Sequence, residues 1–185
     1  FHQFFSRCSN TRNDEYGGSH ENRGRLLFEV LDAVGRELPH DRVGIRLNPM
    51  MNNMHGIQVD EDTVPMFEFL IRRANDYRLA YVHLSEPFMP SQLEGAVGAL
   101  AEVARHFRPL CQAPLLINGG FDQARAETWL TENWCDAVAF GRLFIANPDL
   151  PERFRRGAAL NAPDPDTFYQ GGEKGYVDYP VWAAT

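Results

Sequence analysis

Four short apolar runs alternate with longer helix-type stretches, and this alternation constrains the fold more than any other feature of the chain. The runs are VGIRL, LAYVHL, PLLIN and DAVAF, at residues 43–47, 79–84, 114–118 and 136–140. Strands that alternate with helices pair in parallel through right-handed crossovers. The runs show little polar–apolar alternation, which predicts strands covered on both faces. The sequence therefore predicts an α/β fold, either a small open sheet or half of an eight-stranded barrel.

Apolar spacing and capping residues predict where the helices lie. Ser19 precedes apolar residues that recur on one helix face, and Pro39 follows them, so a helix is predicted over residues 19–38. Further helices are predicted over residues 63–75, 93–107, 122–132 and 150–157. No change of composition marks a boundary, so we predict a single domain over residues 1–185.

Charge and cysteine content narrow the class of protein. A net charge of −7 argues against binding to nucleic acid or to an anionic membrane surface. No apolar run approaches the ~18 residues of a membrane span. The three cysteines lack CxxC or Cys/His spacing, which predicts free thiols and no metal site. The expectation is a cytoplasmic protein without nucleic-acid or membrane partners.

Glycines follow the last two apolar runs. Gly119 and Gly120 come directly after the third run, and Gly141 with Arg142 follows the fourth. In (β/α)8 barrels the loops after the last two strands commonly hold a phosphate. Glycine lets a backbone N–H approach a phosphate closely, and a guanidinium meets two phosphate oxygens at once. Simple turns would also place glycines here, so the pattern leaves both interpretations open.

Arg46 is a cation inside the first apolar run, where its neighbours predict burial. A buried arginine needs an anionic or acceptor-rich partner. One alternative is an outward-facing side chain with a surface partner. The other is a cation aimed into the mouth of a barrel, where negative charge develops during a reaction.

Motifs along nearly the whole chain resemble the Old Yellow Enzyme family of FMN-dependent ene-reductases, in family order. The resemblance begins with TRNDEYGGSHENRGRLLFEVLDAV at residues 11–34 and VGIRLNP at residues 43–49. It continues with YVHLSEP, INGGF, FGRLFIANPDLPERFRRG and DTFYQGGEKGYVDYP, at residues 81–87, 117–121, 140–157 and 166–180. Together these motifs are highly specific, although no one of them is.

The resemblance implies a fold and an activity. The fold would be a (β/α)8 (TIM) barrel with non-covalent FMN at its C-terminal mouth. This chain would cover roughly the C-terminal half, strands 5–8 with their helices. NADH or NADPH would reduce the flavin, which would then reduce the C=C bond of an activated alkene such as an enone or a nitroalkene.

The resemblance also implies roles for particular residues. Arg46 would lie near the pyrimidine edge of the flavin, where a fixed positive charge stabilises the anionic reduced ring. Phe168 and Tyr169 match an aromatic pair that borders flavin and substrate, and Tyr169 is the candidate catalytic residue. The full set of implied cofactor-binding residues is Arg46, Asn118, Gly119, Gly120, Phe140, Gly141, Arg142, Phe168 and Tyr169. Four of them, Gly119, Gly120, Gly141 and Arg142, would hold the phosphate. His83 is expected to be a hydrogen-bonded core or rim histidine.

A part of the family pattern is not in this chain. The family's His-x-x-Asn/His-x-Tyr catalytic cluster lies just upstream of the residues that match Phe1, His2 and Gln3. A half barrel exposes the sheet edges that closure would pair, so it is expected to need a partner, either an N-terminal half or a second copy of itself. One alternative is a non-catalytic flavin-binding or self-associating module. Another is a flavin-free phosphate-binding barrel, such as a sugar-phosphate isomerase or aldolase, against which the family-like tail at residues 167–180 argues.

Overall fold

The computed structural model describes residues 1–87, 93–168 and 172–183. Its contacts divide the chain into two compact units, Phe1–Val138 and Ala139–Thr185, and each is described here by itself. The single domain over residues 1–185 stays a prediction.

The first unit is built on a four-stranded parallel sheet with the order β1-β2-β3-β4. The strands are β1 (Gly44–Leu47), β2 (Tyr81–Ser85), β3 (Leu115–Asn118) and β4 (Ala137–Val138). Strands adjacent in sequence are therefore adjacent in the sheet, as in a barrel. The predicted parallel α/β arrangement is confirmed, although β4 has only two residues where five were predicted.

Five helices of the first unit are α1 (His2–Phe5), α2 (His20–Gly35), α3 (Thr63–Ala74), α4 (Val103–Phe107) and α5 (Gln123–Thr131). Two of them begin at the residues that their sequences predict. The Ser19 hydroxyl accepts the Asn22 backbone N–H at 3.3 Å, and the Asp122 carboxylate accepts that of Arg125 at 2.8 Å. Side-chain oxygens at these positions satisfy donors that the first helical turn leaves unpaired. No helix in the described residues is long and apolar enough to cross a membrane.

The helix predicted over residues 93–107 is wrong for most of its length. Only α4 is helical, and the described residues before it form turns. Gly95 and Gly98 have φ angles of +71° and +74°. A right-handed helix cannot include this left-handed backbone, so the apolar spacing in this stretch did not produce a helix.

The two faces of the sheet differ, which corrects the prediction of strands covered on both faces. Along each of the first three strands, buried aliphatic residues alternate with less buried residues. The buried set is Ile45, Leu47, Val82, Leu84, Leu115 and Ile117. Arg46 belongs to the other face and is exposed, so its predicted burial is wrong. Side chains alternate strictly in a strand, and Arg46 therefore points away from the face that its two neighbours bury.

A buried arginine joins the first three helices of the unit. The Arg23 side chain is 4% exposed and donates to the backbone oxygens of Phe5 and Gly18. It also pairs with the Asp62 carboxylate at 2.6 Å, and His20 contacts the other oxygen of that carboxylate at 2.8 Å. One guanidinium therefore connects α1, the loop before α2 and the residue before α3.

The second unit contains α6 (Arg142–Ala146), α7 (Leu150–Arg156) and a 3-10 turn at Pro165–Thr167. The predicted end of α7 is confirmed, because Gly157 follows it with left-handed backbone at φ +60°.

Arg153 of α7 organises the segment that follows. Its side chain is 4% exposed and pairs with the Asp149 carboxylate at 2.7 Å. It also donates to the Pro180 carbonyl at 2.8 Å, and Asp149 accepts the Trp182 backbone N–H at 2.6 Å. The tail near residue 180 is thus held on α7 although it has no helix or strand of its own.

We predict that Arg23→Met lowers the free energy of unfolding of the full-length protein by about 3 kcal/mol, because it leaves two backbone oxygens and the Asp62 carboxylate without their buried donor. Arg36→Met, at an exposed position just after α2, is the matched control and should change it by less than about 0.5 kcal/mol. Chemical denaturation measures both. If Arg23→Met lowers the free energy of unfolding no more than Arg36→Met does, the buried contacts of Arg23 do not stabilise the fold.

Candidate flavin-binding site

Three polar side chains meet on the less buried face of the sheet, near the carboxyl ends of the strands. Arg46 of β1 lies beside His83 of β2 in the sheet register, and Asn118 ends β3. The Asn118 Oδ1 atom lies 3.3 Å from Arg46 Nη2 and 3.0 Å from His83 Nε2. Arg46 is exposed, and the other two residues are half-buried. We call this set the Arg46–His83–Asn118 cluster.

The hydrogen bonds of the cluster assign its protons. A guanidinium has only donors, so the Asn118 atom that it contacts must be the amide oxygen. His83 Nε2 must then carry a proton, because this oxygen can only accept. Burial, followed by the charge of Arg46, lowers the pKa of His83, and its bond to Asn118 opposes the shift. His83 is therefore a neutral imidazole at neutral pH, and Arg46 carries the charge of the cluster.

A buried carboxylate holds the backbone beside the cluster. Glu86 follows β2 and is 1% exposed, and its backbone N–H donates to the Asn118 carbonyl at 2.7 Å. Its carboxylate accepts the backbone N–H groups of Val103 and Ala104 at 2.8 and 2.7 Å. Burial raises the pKa of Glu86, and these two bonds partly offset that rise. Glu86 thus connects the ends of β2 and β3 to the start of α4.

Gly119 fits only because it lacks a side chain. Its φ is +130°, and a Cβ there would lie 2.6 Å from the carbonyl oxygen of Glu86. Gly120 is also left-handed, at φ +64°, and is exposed. The Arg125 guanidinium donates to the Gly119 carbonyl at 3.2 Å and stacks on the Phe121 ring at 4.4 Å. Gly119 therefore makes a close backbone contact with Glu86, and the backbone of Gly120 is accessible.

The other predicted site residues belong to the second unit. Phe140 packs edge-on against Phe154 with ring centroids 5.3 Å apart. Gly141 immediately precedes α6, and Arg142 is its first residue. Phe168 follows the 3-10 turn. The candidate catalytic residue, Tyr169, lies outside the described residues, and the roles of all these residues stay predictions.

A cavity of about 300 Å³ lies beside β1, a strand at one end of the sheet order. Phe1, Phe5 and Phe67 supply aromatic walls, and Arg46 and Asn48 are its polar lining residues from β1 and its end. The Asn48 side-chain oxygen is buried, with no hydrogen-bond partner in the described part of the chain. Such a group normally has a partner, so this buried oxygen is an uncommon feature of the chain beside the cavity.

The sequence analysis identified Arg46 and Asn118 as cofactor-binding residues and His83 as a hydrogen-bonded residue. It did not predict how the three side chains are joined. The expectation of a hydrogen-bonded His83 is confirmed, but its bond to Asn118 was not predicted. The signal was present: IRL and VHL each place one polar residue between two apolar residues. The role of Glu86 was not predicted, because its position after a strand does not reveal a buried carboxylate that binds the start of α4.

Comparison with known proteins agrees with these features. The family model for the NADH:flavin oxidoreductase / NADH oxidase family matches residues 1–161. 12-Oxophytodienoate reductase 1 from Oryza sativa subsp. japonica is 41% identical over 180 residues, which cover 96% of this chain and 46% of that protein. 12-Oxophytodienoate reductase 2 from Arabidopsis thaliana is 36% identical over 184 residues, covering 99% and 48%.

Two solved structures also match nearly the whole length of this chain. Morphinone reductase in complex with tetrahydroNAD matches with a TM-score of 0.86 and 43% identity, over 98% of this chain and 47% of that one. The Old Yellow Enzyme homologue from Zymomonas mobilis matches with a TM-score of 0.87 and 30% identity, over 97% and 50%.

The chain thus spans about half the length of these relatives. Its four parallel strands form part of a (β/α)8 barrel, as the motifs predicted. The family model, the curated relatives and the solved structures agree, and the chain belongs to the NADH:flavin oxidoreductase / NADH oxidase family, among the Old Yellow Enzyme homologues.

Proposed function

We propose that the full-length protein containing this chain is an FMN-dependent ene-reductase, which uses NADH or NADPH to reduce activated C=C bonds of enones or nitroalkenes. The observation that carries the proposal is the exposed Arg46 guanidinium, which contacts the Asn118 side chain at 3.3 Å at the strand end that leads into Gly119 and Gly120. Relatives named as reductases support it. Because this chain spans about half of them, the activity is proposed for the longer protein.

The residues of the first unit fit a flavin nucleotide. Arg46 offers an exposed positive charge, which favours an anionic reduced ring. Gly119 sits where a Cβ would collide with Glu86, and Gly120 leaves its backbone accessible in a left-handed conformation. Bound FMN would supply hydride chemistry, accepting hydride from NAD(P)H and delivering it to the alkene.

Each site residue then has a proposed task. Arg46 and Asn118 bind and orient the ring, and Gly119 and Gly120 approach the cofactor through their backbone. The motifs assign Gly119, Gly120, Gly141 and Arg142 to the phosphate, and the Arg142 guanidinium suits that role because it can hold two oxygens. Further ring and substrate contacts are proposed for the aromatic residues Phe140, Phe168 and Tyr169.

The proposal includes a partner for the open side of the sheet. The cavity beside β1 combines aromatic walls with the polar residues Arg46 and Asn48, which suits a further segment of protein. An edge strand also offers unpaired backbone groups to another strand. We propose that an N-terminal half barrel occupies this side, with self-association of the chain as the second candidate.

Arg46→Gln in the full-length protein should weaken the binding of FMN and of riboflavin alike, each by roughly tenfold, because the charge acts on the ring that both ligands share. Flavin fluorescence titration measures the two dissociation constants. Arg42→Gln, at an exposed position before β1, is the matched control and should leave both within about twofold. Unchanged affinities in Arg46→Gln would contradict the assignment.

Arg142→Ala should behave differently. We expect it to weaken FMN binding by roughly tenfold to a hundredfold and to leave riboflavin binding unchanged, because riboflavin has no phosphate. The same titration separates the two cases. An equal loss for both ligands would remove Arg142 from the phosphate site.

The activity itself is tested by turnover. The full-length protein loaded with FMN should oxidise NADPH or NADH faster when cyclohexenone is added, with the saturated ketone as product. Absorbance of the nicotinamide and chromatography of the product follow the reaction. Retained FMN without turnover across enones and nitroalkenes would favour the non-catalytic flavin-binding alternative.

A further inference from the structure

We propose that His83 is a positioning residue of the flavin site, which fixes the Asn118 side-chain amide so that its NH₂ group is presented to the ligand. This inference rests on the proposed function. It concerns how the site is held, because His83 acts through Asn118 on the neighbouring strand.

The direction of the Asn118 amide follows from its two partners. Arg46 and His83 both donate to Oδ1, at 3.3 and 3.0 Å. Rotating the amide by 180° would place its NH₂ group against the Arg46 guanidinium, which can only donate, and would require the other tautomer of His83. The NH₂ group must therefore point away from Arg46 and His83, and in the described residues no hydrogen bond from it is found. It is left as a donor at the end of β3, next to Gly119.

Arg46, which can only donate, sets which amide atom faces the pair, and His83 makes the firmer of the two bonds. Its bond to Asn118 is the shorter one and lies within the usual range for N–H···O, whereas 3.3 Å is at the long end. His83 is also half-buried, while the Arg46 side chain is exposed and has many rotamers available. A short, partly buried ring holds a neighbour in place at a smaller entropic cost than a long exposed chain.

The backbone of Asn118 leaves only its side chain to be fixed. Its carbonyl accepts the Glu86 N–H at 2.7 Å, and it lies beside Ser85 in the sheet register. Gly119 lies so close to Glu86 that a Cβ at this position would meet the Glu86 carbonyl oxygen at 2.6 Å. The remaining freedom is the rotation of the amide, and this is the motion that the His83 bond restricts.

A double-mutant cycle in the full-length protein tests the inference, with the FMN dissociation constant as readout. His83→Phe and Asn118→Ala should each weaken FMN binding by about fivefold, the size expected for one hydrogen bond. The double variant should be no weaker than Asn118→Ala, because His83 acts only through that amide. His83→Gln should stay within about twofold of the wild type, since its side-chain amide can donate where Nε2–H does.

His106→Phe is the matched control. His106 lies on α4 and contacts Glu68 at 2.8 Å, so this variant removes a hydrogen-bonded imidazole outside the site and should leave FMN binding unchanged. Additive losses in the double variant would overturn the inference, as would a His83→Phe variant that binds normally or a His83→Gln variant as weak as His83→Phe. A wild-type protein that binds no FMN would instead refute the proposed function, and the inference would fall with it.

Discussion

The site depends on one close contact, the approach of Gly119 to the backbone of Glu86. A side chain at residue 119 would meet the Glu86 carbonyl at 2.6 Å, so the ends of β2 and β3 can come this close only at a glycine. The same Glu86 donates its N–H to Asn118 and holds the start of α4 with a buried carboxylate. Because the backbone is held there, the Asn118 side chain lies on the less buried face of the sheet. It contacts His83 and Arg46 on that face.

The two faces of the sheet have different roles, one in stability and the other in the proposed ligand binding. One face buries aliphatic residues, and this burial is the main favourable term for the unit. The opposite face carries the Arg46–His83–Asn118 cluster, where a charge and its acceptor remain accessible to a ligand. A closed barrel places one face of its sheet around the axis, and the proposed flavin site uses the face that carries the cluster.

Most of the fold was predictable from the sequence, because the strands are short apolar runs and the longer helices have periodic apolar residues and clear caps, such as Ser19. The helix over residues 93–107 failed because apolar spacing does not reveal the left-handed backbone of Gly95 and Gly98. α1 and α6 are too short to show a period. The family motifs identified Arg46 and Asn118, but the His83 bond joins residues 35 positions apart on two paired strands, and neither strand alone reveals it.

The most direct test of the central claim, that this chain supplies the FMN-binding side of a flavoenzyme barrel, is the absorbance spectrum of the full-length protein. The protein would be incubated with FMN, passed through gel filtration and compared with an Arg46→Gln, Arg142→Ala double variant. The account predicts flavin bands that co-elute with the wild-type protein at about one FMN per chain and are largely lost from the variant. A colourless wild-type protein, or a variant that retains FMN as well as the wild type does, would contradict it.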